Sequence, residues 1–97
     1  MATYVSLVSW TEQGIKSYRD TTARAEAASQ LAVKLGGRMT SILWTIGPYD
    51  LVAVSEFDDD EAATAFALAL GSSGNIRTTT MRAFDAGQMS SIIARIG

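Results

Sequence analysis

Cysteine and histidine are both absent from this 97-residue chain, and proline occurs once, at Pro48. Without cysteine there is no disulfide framework and no thiolate chemistry. Without histidine the chain lacks the commonest general base, the commonest transition-metal ligand and the usual proximal haem ligand. Charge is sparse as well: 8 basic and 10 acidic residues leave a formal charge of −2, and the basic ones are scattered. No run of Lys and Arg offers the electrostatic footprint for nucleic acid or acidic lipid, so neither is an expected partner. The longest unbroken apolar run, residues 65–70, falls far short of the roughly 20 needed to cross a bilayer. The start, Met1-Ala2-Thr3-Tyr4-Val5, lacks the basic region and apolar core of a signal peptide. A cytoplasmic protein is the expectation.

What is present is apolar and small. Hydrophobic residues make up 47% of the chain, which reads as one globular domain over residues 1–97. A chain this size hides roughly two thirds of its unfolded surface, so a second subunit would add usefully to burial. Abundant alanine and glycine suggest closely packed helices.

Residues 3–10 alternate as a strand, with Val5 and Leu7 on one face and Tyr4, Val8 and Trp10 on the other. Thr11 is placed as an N-cap. A helical segment then runs to Leu35 with Ile15, Tyr18, Thr22, Ala25, Ala28, Leu31, Ala32 and Leu35 on one stripe. Asp20 is a candidate interruption and cap, and Gly36-Gly37 a stop. Residues 38–46 and 50–57 read as strands that are apolar at both parities, as expected of strands covered on both sides. Asp58-Asp59-Asp60-Glu61 opens a second helix, Gly71-Ser72-Ser73-Gly74 closes it, and residues 75–84 form a last strand. Asp85 with Gln88 makes a capping box for a terminal helix whose stripe is Met89, Ile92, Ile93 and Ile96.

The order is β-α-β-β-α-β plus a helix, an α+β fold of the ferredoxin-like, split βαβ kind. Right-handed crossovers place both main helices on one sheet face. The other face would be a large exposed apolar patch, which a second copy of the same face would cover. A homodimer or larger homo-oligomer, with two sheets facing each other as a dimeric α/β barrel, is therefore expected. Thr78, Thr80 and Arg82 share one face by period two. Facing the partner, they would line an inter-subunit cavity; facing the helices, a buried Arg82 would need a partner charge.

Several separated motifs are similar to a known family. Gly47-Pro48-Tyr49-Asp50 carries Gly-x-Tyr-Asp, and Ser9-Trp10-Thr11 with Gly14, Leu35-Gly36-Gly37 and Gly74-Asn75-Ile76-Arg77-Thr78 accompany it. Over residues 3–86 the chain resembles the small bacterial and archaeal GYD-domain proteins. The resemblance implies a dimeric α/β-barrel fold, no defined activity and no catalytic residue to carry over. The hairpin also resembles that of effector-binding domains in leucine/asparagine-responsive regulators, which hold small effectors between subunits.

Two readings of the hairpin stay open. Pro48 and Asp50 suit a type I turn that sets strand register. Tyr49 and Asp50 at a sheet end would also stand at a barrel mouth, where loops carry function. The acidic run 58–61 is assigned to capping and to the helix dipole, with no metal site. Gly71-Ser72-Ser73-Gly74 lacks the lysine of a phosphate loop. Trp10 and Trp44 suit a core or a ligand-stacking wall, and Arg82 suits a ligand carboxylate or an ion pair. The ligand-binding candidates are thus Tyr49, Asp50, Arg82, Trp10, Trp44 and Thr80, with Asp50 the one weak catalytic candidate and no cofactor expected. The leading function is a non-enzymatic module binding a small metabolite between subunits. The alternatives are a cofactor-independent monooxygenase or isomerase, with Asp50 as base and Tyr49 or Arg82 steadying an enolate, and a purely structural oligomer.

Overall fold

The computed structural model describes all 97 residues. Strand β1 (Ala2–Trp10) leads to helix α1 (Glu12–Lys16), a 3₁₀ turn (Tyr18–Asp20) and helix α2 (Thr21–Lys34). Strands β2 (Arg38–Trp44) and β3 (Leu51–Phe57), helix α3 (Asp60–Ser72), strand β4 (Ile76–Ala83) and helix α4 (Ala86–Ala94) follow. The sheet order is β2-β3-β1-β4 with every neighbouring pair antiparallel. Two βαβ units, each skipping a strand, interleave as the ferredoxin-like pattern requires.

Local chemistry explains the boundaries. The Thr11 side chain caps α1 by accepting from the Gly14 amide. The long helix expected to reach Leu35 breaks after Lys16, where Ser17 takes φ −106° and ψ 38°. Asp20 stands at the N-cap of α2, but its side chain makes no cap hydrogen bond. Instead the Arg24 guanidinium donates to the carbonyls of Gly14 and Ser17, acceptors left open by the break. Gly36 ends α2 with φ 85°, while a Cβ on Gly37 would lie 2.3 Å from the Phe57 ring. The two glycines thus answer two different demands, conformation and close approach. The capping box of Asp85 and Gln88 is fully formed.

Both long helices pack on the face that carries Tyr4, Val8, Leu51, Ala53, Ser55 and Phe57. Phe57 is fully buried, with the Tyr4 ring edge-on at 6.2 Å and the Phe66 ring at 5.2 Å. Ala32 and Ala63 let the helices close on these rings. At the other end of the same face, Ala25, Ala28 and Ala69 leave space unfilled. Alanine therefore gives close packing at one end of the sheet and a hollow at the other.

The opposite face carries Val5, Leu7, Val52 and Val54, none of them fully buried, with Leu43 61% and Met81 44% exposed. Helix α4 does not cover it, since no residue of α4 is buried and Met89, Ile93 and Ile96 are exposed. No helix of the chain is long and apolar enough to cross a membrane.

Candidate functional site

The hollow is a cavity of about 280 Å³ between the sheet and helices α2 and α3. Val8, Trp10, Ile42, Leu51 and Ala53 form its floor, and Ala25, Ala28, Leu31 and Leu70 its walls. Thr21, Arg24, Ser73 and Asn75 supply polar groups at one end, Ser6 and Thr78 add hydroxyls along the floor, and Arg24 is the one charged residue on the lining. A mainly apolar hollow with a few polar groups is the usual form of a small-molecule site, and this volume is near the lower bound of roughly 300–1,000 Å³.

The polar end is built by long-range contacts. The Thr11 amide donates to the Asn75 carbonyl at 3.0 Å, and the Thr11 hydroxyl donates to the Gly74 carbonyl at 2.5 Å. Gln13 Nε2 donates to the Ser73 carbonyl and to Asn75 Oδ1. A Cβ at Gly14 would lie 2.0 Å from the Asn75 carbonyl oxygen. Thus α1 is clamped against the α3–β4 connection, and only glycine allows the approach.

Trp10 is the sequence-predicted residue that lines the cavity. Trp44 is not on the lining: its indole donates to the hydroxyl of the lining residue Thr21 at 3.0 Å, and the residue is 44% exposed. The hairpin differs from a closed type I turn. The Asp50 amide donates to the Val8 carbonyl at 2.8 Å instead of returning to Gly47. Gly47 has φ 144°, and the loop is closed by the Thr45 amide on the Asp50 carbonyl and by the Thr45 hydroxyl on the Tyr49 carbonyl. One Asp50 oxygen accepts the Trp10 amide at 2.8 Å, so this carboxylate latches the hairpin to β1. Neither Tyr49 nor Asp50 lines the cavity.

Thr80 and Arg82 share the helix-side face with Tyr4 and Ser6, across from which they pair on β1. Arg82 is exposed at the sheet edge, so the partner charge that burial would demand is not required. Its guanidinium lies over the rings of Tyr4 and Phe84 and donates to the carbonyls of Thr3 and Ala83. With Asp60, Thr64 and Thr80 it borders a second groove, separate from the main cavity. There the Tyr4 hydroxyl donates to Asp60 at 2.5 Å. Burial, reinforced by that hydrogen bond and the Asp60 charge, pushes the Tyr4 hydroxyl up to about 12. In the acidic run, Asp59 caps α3 through the Ala62 amide and Asp60 holds Tyr4.

Sequence reasoning passed over Arg24 and Asn75 as site residues. A signal for Arg24 was available: it sits four and seven residues before Ala28 and Leu31, on the inward stripe of α2. A cation on such a stripe marks either a structural pairing or a pocket.

Comparison with known proteins agrees with this architecture. The family model of the GYD domain matches residues 4–93. The crystal structure of TTHA0845 from Thermus thermophilus is similar, with a TM-score of 0.58 and 25% identity, over 89% of this chain and 96% of that one. No curated protein matches the chain.

Proposed function

Because the chain belongs to the GYD domain family, whose fold sets no chemistry by itself, we propose its function from the cavity. It is a cytoplasmic, homo-oligomeric module that binds a small metabolite in the hollow between sheet and helices. The observation that carries this reading is the cavity of about 280 Å³, mainly apolar and with its one charged residue at one end. A space of that size left in a 97-residue core forgoes packing that larger side chains would supply. Self-association is part of the proposal. Val5 faces Val54 and Leu7 faces Val52 on the uncovered side of the sheet, and Leu43 and Met81 widen that patch. A second copy presents the same apolar patch, so one isologous contact covers both. The cavity then belongs to each subunit, with the sheet dividing it from the interface.

Trp10 is the proposed stacking wall. Tyr49, Asp50 and Trp44 support it, since the Asp50 latch fixes the backbone of Trp10 and Trp44 holds Thr21. Thr80 and Arg82 are proposed as an outer polar contact beside the second groove. Native mass spectrometry of the freshly purified chain tests the reading: a retained mass that Ala28→Phe eliminates, with the circular dichroism spectrum unchanged, is the expected result. Unchanged retention in that variant would place the ligand elsewhere.

A further inference from the structure

Arg24 presents an unfinished set of bonds. Its Nη1 donates to the Ser17 carbonyl at 2.8 Å and the Ser17 hydroxyl at 3.1 Å, and Nη2 donates to the Gly14 carbonyl at 3.2 Å. A guanidinium has five N–H groups in a fixed fork. The Nε hydrogen and one Nη2 hydrogen therefore have no acceptor within the chain. Arg24 also takes part in neither ion pair of the molecule, Lys16–Glu12 and Arg38–Glu56. It is half-buried, and no carboxylate lines the cavity beside it.

Asn75 stands at the same end. Its carbonyl and Oδ1 accept from Thr11 and Gln13, whereas its Nδ2 makes no hydrogen bond. Gly14 joins the two residues, because its carbonyl is held by Arg24 and its Cα packs on Asn75. The polar end of the cavity thus offers donors and one positive charge. From Arg24 to Leu31 the wall continues for about 10 Å of helix, and it is apolar past Arg24.

We infer that the cavity takes a small amphipathic monocarboxylate, its apolar body along α2 and its carboxylate on the free fork of Arg24, seconded by the Asn75 amide. This rests on the cavity being a ligand site, and it adds the sign of the charge and the end at which the head group sits. A carboxylate accepts two parallel N–H bonds from such a fork, and charge-assisted bonds of this kind exceed neutral ones. A cationic head would meet the guanidinium as a like charge.

The test titrates three probes with the same eight-carbon chain, octanoate, 1-octanol and octylammonium, into the full chain at neutral pH. Binding is located by the amide shifts of Trp10, Ala28 and Thr78. Octanoate is expected to bind at least about tenfold more tightly than 1-octanol, one charge-assisted hydrogen bond's worth, with octylammonium weakest. Arg24→Gln is expected to bring octanoate and 1-octanol within about threefold of each other. If that variant does not fold, the order of the three probes on the unaltered chain decides the matter. Octanoate and 1-octanol binding the unaltered chain equally would overturn the carboxylate inference and leave the cavity reading standing. No shift at those amides with any probe would overturn both.

Discussion

Replacing Gly14 and Gly71 by alanine should move stability in opposite directions, although both glycines are helical. On propensity alone each change favours the helix by up to about 1 kcal/mol. At Gly71 nothing lies within 4 Å of the added Cβ, so the gain survives, reduced to about 0.5 kcal/mol near the helix end. At Gly14 the Cβ would lie 2.0 Å from the Asn75 carbonyl oxygen, a backbone atom that cannot turn aside. Either α1 or the α3–β4 connection must move. That overpacking costs about 1–3 kcal/mol, and the Thr11 amide bond to the same oxygen is put at risk for about 1 kcal/mol more. The net for Gly14→Ala is a loss of about 2 kcal/mol, or roughly 10 °C in Tm for a chain of this length. Thermal and urea unfolding, at one fixed protein concentration because the proposed self-association would shift the midpoint, provide the measurement. A neutral or stabilising Gly14→Ala would refute the clamp.

The remaining predictions concern three other contacts. Tyr4→Phe should cost about 2 kcal/mol at pH 8, as expected for a hydrogen bond to a charged group. Because the folded Tyr4 is raised from 10.0 to about 12, its contribution is complete below pH 10 and is lost as pH climbs towards 12. Urea titrations of both forms should therefore converge over that window, and a difference independent of pH would contradict it. Asp50→Ala should destabilise by about 1–3 kcal/mol by leaving the Trp10 amide without its acceptor, whereas Asp50→Asn should cost far less; equal losses by chemical denaturation would point to the charge instead. Leu7→Lys, on the uncovered sheet face opposite Val52, should convert the proposed assembly to monomers in light scattering without unfolding them. A wild-type chain that is already monomeric at micromolar concentration would remove the basis for that experiment and for the proposed assembly.

Much of the architecture was legible in the sequence because local chemistry announces it. The glycine pair at 36–37, the Asp85–Gln88 box and the alternation in β1 each state their element within a few residues. The face of Arg82 was not legible: strands apolar at both parities leave period two without a reference side. Nor was the hollow, since Ala28 and Ala32 look alike in sequence, yet one lines a cavity and the other is fully buried. Asp50 shows the same limit. Its setting invites a local turn, but its acceptor role is met by an amide 40 positions earlier. Only the assembled sheet brings the two together.

The position of β1 in the sheet also orders events in time. Its two neighbours are β3 and β4, so β1 has no hydrogen-bonded partner until residues 51–57 exist, and a free edge until residues 76–83 do. The β2–β3 hairpin is the pairing whose strands are nearest in sequence. Such long-range closure slows folding, because residues 11–50 lie between the apolar strand Ala2–Trp10 and its first hydrogen-bonded partner. The Asp50 carboxylate on Trp10 is then a means of drawing the early strand into a hairpin formed later. Part of the stability lost with that latch should therefore appear as slower refolding, and not only as faster unfolding.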